Sequence, residues 1–485
     1  MNIITFYTKA QGSSHAASGK PCQDNGGSFS KDGLHIAVVC DGHGSDSYVR
    51  SQDGSHLAAQ ITIDEVKKFV QDTPATLFLG KKGAVTSIPT QDPLIDKNGN
   101  KRLRSELTES EEALLTQNLQ YEKDSSENPD VETQLRQLFS SIHSKWKEAI
   151  TKDSRNRPFT HQERIKLGSL PIEKAYGTTL MAAVRTPHYW FAFHIGDGKL
   201  YCCDKLMQWR EPIPWDCNCM FNVTTSLCQS QPVKSFRYAF DGTGNFPIAF
   251  ALGSDGIDGT FLQDEYIHNF YSQVLCACNV STENEVVELL DKRLPDYSRQ
   301  GSHDDMSVAA IVDKDELPLA VKYYKAISKI QALTGERTKR SEALSASRKK
   351  AQAAREEADG EFDKFNGFAN EFRSFLFSVI SKFQEKLTSF EDKQGSASNS
   401  RAKLKQLQDD LAKEEQSFAK WCENAKSRVV ELQQQAEQIK KEIETASCPE
   451  PSAHVAPENE YSEQEMNADS DAQASELMKI TSITK

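Results

Sequence analysis

Three apolar stretches of this 485-residue chain meet an aspartate at one end, and that recurrence restricts the fold more than any other feature. Residues 36–40 run straight into Asp41-Gly42-His43-Gly44, and residues 246–252 into Gly253-Ser254-Asp255-Gly256. Asp304-Asp305-Met306-Ser307 opens the third, 308–312. Each stretch is short, apolar and bounded by turn residues, the pattern of a buried strand. A carboxylate at a strand's end is rigidly held, and adjacent glycines let backbone approach and expose a carbonyl. Asp and Gly are also ordinary turn formers, so any one of these sites read alone is a tight turn. The same device on three separate strands exceeds what turn chemistry requires.

The remaining N-terminal sequence fits around such strands. Residues 2–7 read as a strand leading into a polar loop at 11–15, and Pro21 with its flanking glycines excludes a helix before Asp24, a candidate for the same pocket as Asp41. Helical spacing covers 54–69, with His56 as a helix-surface histidine, and returns at 131–150 through Leu135, Leu138, Phe139, Ile142 and Trp146. The polar stretch 71–130 between them reads as insertion or lid material, partly disordered. Residues 176–184 and 189–195 form a predicted hairpin, followed by a strand over 199–203. Asp197 between them is either a supporting carboxylate or a turn residue. An amphipathic helix is expected over 283–294.

Composition excludes several function classes. A net charge of −12 gives no electrostatic footprint for nucleic acid or anionic membrane. The N-terminal residues lack the basic and apolar regions of a secretory signal, and no apolar run reaches membrane-spanning length, so a cytoplasmic location is expected. The eleven cysteines follow no disulfide framework. Cys217-Asn218-Cys219 and Cys276-Ala277-Cys278 are spaced too closely for the usual zinc pair, which favours free thiols.

Converging carboxylates repel one another unless cations neutralise them, and an oxygen-only donor set points to Mg²⁺ or Mn²⁺. Two such ions bridged by Asp41 would hold a hydroxide for attack on phosphorus. The Gly42 carbonyl, Asp255 and Asp304 would complete the metal shells, and His43 would protonate the leaving oxygen. Cys22-Gln23-Asp24, Asp41-Gly42-His43-Gly44-Ser45, Gly177-Thr178-Thr179, Ile195-Gly196-Asp197, Ser254-Asp255-Gly256 and Asp304-Asp305-Met306-Ser307 follow in order, and over roughly 1–313 the chain resembles the protein phosphatase 2C family, in its mainly bacterial branch.

The resemblance implies an α+β fold, a four-layer α-β-β-α sandwich of two antiparallel sheets flanked by helices. It also implies hydrolysis of phosphoserine and phosphothreonine in protein substrates, without a phosphoenzyme. Asp41 would bridge both ions, Gly42 would ligate through its carbonyl, Asp255 and Asp304 would hold the first ion, Asp24 would anchor the second, and His43 would be the general acid. Asp258 resembles a residue holding a weaker third ion, with a spacing one residue short. An arginine that much of the family places before Asp24 to bind phosphate is missing; Lys20 is the nearby substitute, without arginine's bidentate fork. Gln23 stands where glutamate is frequent, which bears on the second ion.

Beyond Asp313 the composition turns to Lys, Glu, Gln and Ala. Phe362, Phe365, Ala369, Phe372 and Leu376 mark one helical seam, continued by Phe383, Leu387 and Phe390; Leu404, Leu407, Leu411, Phe418, Ala425, Val429, Leu432, Ala436 and Ile439 mark another. A loop over 394–400 between them predicts an antiparallel coiled-coil hairpin, with a further helix at 320–358 broken near Gly335 and Gly360. The expected organisation is a phosphatase domain over 1–315, a helical module over 316–447 that regulates or targets through a protein partner or self-association, and an acidic disordered tail over 448–485. The alternative is a phosphatase-like scaffold without turnover.

Overall fold

A computed structural model describes residues 2–88, 94, 102–216, 218–219, 224–376 and 383–446. In chain order the first elements are β1 (Ile3–Ala10), α1 (Ser13–Ser18), β2 (Asn25–Lys31), β3 (Leu34–Cys40), α2 (Ser51–Asp72) and β4 (Lys82–Val85). Then come α3 (Glu109–Glu127), α4 (Pro129–Asn156), α5 (His161–Leu167), α6 (Ile172–Ala175), β5 (Leu180–Arg185), β6 (Trp190–Ile195), β7 (Lys199–Cys203) and β8 (Trp209–Arg210). They are followed by α7 (Pro232–Ser235), β9 (Arg237–Asp241), β10 (Ala249–Gly253), α8 (Asp255–Phe261), α9 (Asp264–Val280), α10 (Glu283–Gln300) and β11 (Met306–Asp313). Two long helices close the described chain, α11 (Leu317–Leu376) and α12 (Phe383–Ala446). The chain divides into two compact units between Val321 and Lys322, within α11.

The first unit is a sandwich of two antiparallel sheets, in the orders β1-β11-β10-β7-β8 and β2-β3-β5-β6-β9-β4. Strand β3 shows why its sequence is apolar without interruption. Ala37 and Val39 point into the space between the sheets, beside Met181 and Ala183 of neighbouring β5 and against Phe250, Leu252 and Ile311 of the other sheet. Ile36, Val38 and Cys40 face the opposite way, into a layer with Ala58, Val66, Phe139 and Trp146 from α2 and α4. Alternation exists, but both faces are dry, so no polar residue marks it. Trp146 is fully buried, and its indole N–H donates to the Gly54 carbonyl at 3.0 Å, which fixes α4 on α2. Helices α9 and α10 bury Phe270, Tyr271, Leu290 and Leu294.

Several expectations are corrected. Within the stretch 71–130, expected as a partly disordered insertion, the described residues carry regular structure: β4 pairs with β9, α3 forms with a complete capping box at Thr108, and Phe78 is fully buried with its ring stacked 4.2 Å from Tyr189. A few apolar anchors suffice there, too widely spaced to make a period. The polar loop at 11–15 contains the start of α1, and α9, unexpected from the sequence, carries Cys276 and Cys278. The described cysteines are free thiols, most of them buried.

The second unit consists of the rest of α11 and α12, which run antiparallel. Arg348 pairs with Glu415 at 2.8 Å, Arg340 lies over the Trp421 ring at 4.4 Å, and Ser396 bonds Glu361 at 3.0 Å. Leu344, Ala351 and Ala358 are buried along one helix, and Ala425, Leu432, Ala436 and Ile439 along the other. The expected loop over 394–400 is instead helix inside α12, and α11 continues through Gly335 and Gly360. Burial of Ala397 and the helical residues on either side offset the roughly 1 kcal/mol that a glycine costs in a helix. Residues 377–382, the expected tail and Cys217 lie outside the described residues. No described helix is long and apolar enough to cross a membrane.

Candidate active site

The end of β3 is clamped from one side by the Gly177-Thr178-Thr179 segment. Asp41 N–H donates to Thr179 Oγ1 at 3.0 Å, while its carbonyl accepts from Thr179 N–H at 2.8 Å and Thr178 Oγ1 at 2.9 Å. Gly42 bridges to Thr178, and the His43 N–H reaches the Gly177 carbonyl at 3.2 Å. On its other side Gly42 lies so close to Gln23 that a Cβ would sit 2.5 Å from the Gln23 carbonyl oxygen. The glycine is therefore a packing requirement, and the loop bearing Asp41 and His43 is held between two backbones.

The other two acids arrive on elements stitched to this loop. Asp255 is the first residue of α8, directly after β10, and Gly256 beside it packs on the Asp305 carbonyl with no room for a Cβ. Ser307, near the start of β11, donates its N–H to Ser254 Oγ at 3.0 Å and its hydroxyl to Asp24 Oδ2 at 2.8 Å. Asp305 accepts the Gly12 and Gln23 N–H groups at 2.6 Å each, and its Oδ2 lies 2.9 Å from His15 Nδ1. The Asp305 carboxylate thus ties the β1–α1 turn and the Asp24 segment to β11.

Asp41, Gly42, His43, Asp255 and Asp304 line one open cleft of about 530 Å³, together with His15, Tyr48, Lys174, Thr179, Asp197 and Thr224. Asp24 is buried just behind it. Lys20 is not in the cleft: it lines an adjoining groove, where its ammonium donates to the Gly44 carbonyl at 3.2 Å. Asp258 also lies outside the lining residues.

The model of one family, Protein phosphatase 2C, matches residues 11–295, more than half of the chain. The chain belongs to the protein phosphatase 2C family. It is a protein serine/threonine phosphatase of that metal-dependent class, whose substrates are phosphoproteins. Among solved structures it is similar to the catalytic domain of the serine/threonine phosphatase PstP in complex with two manganese ions, at 14% identity over 64% of this chain and 97% of that one, with a TM-score of 0.34. It is also similar to Stp1 from Staphylococcus aureus (14%, 64% and 95%, TM-score 0.35) and to PppA, a regulatory component of a secretion system in Pseudomonas aeruginosa (15%, 64% and 98%, TM-score 0.34). No curated protein matches the chain in sequence.

The phosphatase cleft is electrostatically strained. Burial, and then the carboxylates of Asp24 and Asp255, hold Asp41 well above the usual carboxylate range. Burial and like charge raise Asp24 and Asp255 too, against hydrogen bonds from Ser254 and Ser307 to Asp24 and from Asp41 to Asp255. Asp197 is raised mainly by burial. Burial also lifts Asp258 to about 8, and its Oδ1 has no hydrogen-bond partner among the described residues. Among those residues no three His, Cys, Asp or Glu side chains close around a single point, so the acids rim the cleft without forming a cage. The donors are oxygens that repel one another in an open cleft, which fits hard divalent cations retaining water.

His43 behaves differently. Burial, and then the Lys174 ammonium, push its imidazole down to about 4. Its Nε2 is hydrogen-bonded to Ser226 Oγ at 2.7 Å, and Ser226 Oγ in turn lies 3.0 Å from the Thr178 carbonyl oxygen, which leaves Nδ1 as the ring nitrogen not tied to Ser226. Ser226, Tyr48 and Lys174 were not marked by any motif in the sequence. Gln23 turns out to serve as a donor: its Nε2 bonds the His43 carbonyl at 3.1 Å, which a glutamate could not do.

Proposed function

We propose that this cleft hydrolyses phosphoserine and phosphothreonine in proteins with two divalent cations, Mg²⁺ or Mn²⁺. Asp41 would hold both, the Gly42 carbonyl would add a further ligand, Asp255 and Asp304 would hold the first, and Asp24 the second. When bound, such cations supply the charge that activates a water and neutralises phosphoryl oxygens. The single observation that carries this reading is the gathering of Asp41, Asp255 and Asp304 from three elements around one cleft, at a cost in mutual repulsion that cations would relieve. His43 would give the leaving seryl or threonyl oxygen its proton from Nδ1, while Ser226 fixes the ring through Nε2. An anionic phosphate beside the ring opposes the influence of Lys174 and favours the charged imidazole.

A weaker third ion would fall to Asp258. We assign residues 1–315 to the phosphatase domain, 316–447 to a helical module that regulates or targets it, and the remainder to a tail. The test is hydrolysis of an aryl phosphate and a phosphothreonine peptide in Mn²⁺, with and without chelator. Turnover should vanish with chelator and fall by at least 10³-fold in Asp41→Asn and Asp304→Asn, given the several kcal/mol that metal-assisted charge stabilisation supplies. A folded, metal-bound chain without turnover would refute hydrolysis and leave the scaffold reading.

A further inference from the structure

We infer that the Lys174 ammonium, held in place by Tyr48, binds the substrate's phosphate group in place of the arginine this chain lacks. The inference deepens the hydrolytic reading and rests on it.

Among the described residues lining the cleft, Lys174 is the sole Lys or Arg, facing Asp41, Asp197, Asp255, Asp304 and Asp305 across the same space. Its ammonium is nevertheless engaged by a neutral group. It donates to the Tyr48 hydroxyl and lies over the Tyr48 ring, 4.3 Å from the centroid. The neighbouring Glu173 is taken by Lys147 at 2.6 Å. The basic groups of the adjoining groove are committed elsewhere: Arg50 to Glu163 at 2.8 Å, Lys166 toward Asp46 at 3.7 Å, and Lys20 to the Gly44 carbonyl. Lys174 thus combines a full charge, access to the cleft and donors not consumed by a carboxylate. An ammonium has three donors; one goes to the phenol, and the others suit phosphate oxygens.

Position supports the same assignment. The Tyr48 ring touches both groups, its centroid 4.3 Å from the Lys174 ammonium and 4.6 Å from the centroid of the His43 imidazole. A phosphate gripped here has its ester oxygen near the group proposed to protonate it. Tyr48 is a positioning residue: its hydroxyl and ring face fix an otherwise flexible four-carbon stem.

The test titrates inorganic phosphate into the full chain in Mn²⁺ by calorimetry, alongside kinetics on a phosphothreonine peptide. Lys174→Gln should weaken phosphate binding and raise KM, each by roughly 10- to 100-fold, the loss of a charge-assisted bond. Lys174→Arg should restore most of both, and Tyr48→Phe should raise KM by about 3- to 10-fold through a looser ammonium. Phosphate affinity that is absent in the parent, or equal in a folded Lys174→Gln, overturns the inference. If the parent binds phosphate through Lys174 but never turns over, hydrolysis fails and this assignment stands; turnover with affinity indifferent to residue 174 gives the reverse.

Discussion

Replacing Gly42 with alanine tests whether the cleft depends on the backbone clamp as well as on its acids. The added Cβ would sit 2.5 Å from the Gln23 carbonyl oxygen and 3.0 Å from that of Ser51. Relief to ordinary contact requires a displacement of about 0.9 Å. Neither obstacle can swing away cheaply, because both are backbone and the Gln23 carbonyl also accepts from Ser55 Oγ at 2.6 Å. The movement therefore falls on the loop, which carries Asp41 on one side of residue 42 and His43 on the other. A misplacement of about 1 Å in a reacting constellation costs on the order of 100-fold in rate, and overpacking of this kind costs about 1–3 kcal/mol of stability. Gly42→Ala should fold, melt lower and lose roughly 100-fold in kcat/KM on the phosphothreonine peptide. Gly335→Ala, where nothing lies within 4 Å of the new Cβ, serves as the control. A Gly42→Ala enzyme within threefold of the parent would refute the argument that the two backbones fix the loop.

Two further predictions concern stability. Arg185 of β5 and Asp313 of β11 pair at 2.6 Å across the two sheets, each side chain only 5% exposed, so Asp313→Ala should cost about 3–5 kcal/mol and lower the thermal midpoint by roughly 10 °C; a drop under about 2 °C would contradict it. Glu163, bonded to Arg50 through both oxygens, has its carboxyl lowered to about 2 from an ordinary 4.5. A depressed acid stabilises fully above its unfolded value and loses that contribution as pH falls through the folded one. Glu163→Gln should therefore cost on the order of 2–3 kcal/mol at pH 7, and the gap to the parent should close between pH 4.5 and 2 in denaturant titrations. A gap at pH 3 as wide as at pH 7 would exclude this linkage.

The acids were legible in the sequence because each is a local event. Asp41, Asp255 and Asp304 stand where an apolar strand meets a turn, and strand ends at one edge of a sandwich are brought together by the architecture itself. The cations are another matter. Lys20 was the natural choice for a missing arginine because it lies near Asp24 in the chain. Yet after α1 the chain turns through Gly19 at φ 69°, and Lys20 reaches Gly44 in the adjoining groove. Lys174 lies 150 residues from Asp24 on a four-residue helix, and by sequence alone it looks like Lys166 or any other surface lysine. What separates Lys174 from Lys166 is a tyrosine over a hundred positions away, brought beside it by the Gly177-Thr178-Thr179 clamp on the Asp41 loop. The same reasoning explains the helical unit. The stripe from Leu404 to Ile439 has a period that a single chain segment displays, so its inward face was readable. The helix through Gly395 was not, because it depends on packing against α11, and no local propensity encodes that contact. A motif specifies the acids of such a site, whereas its cations can be drawn from any element that the clamp brings within reach, which is why the missing arginine has to be sought by geometry.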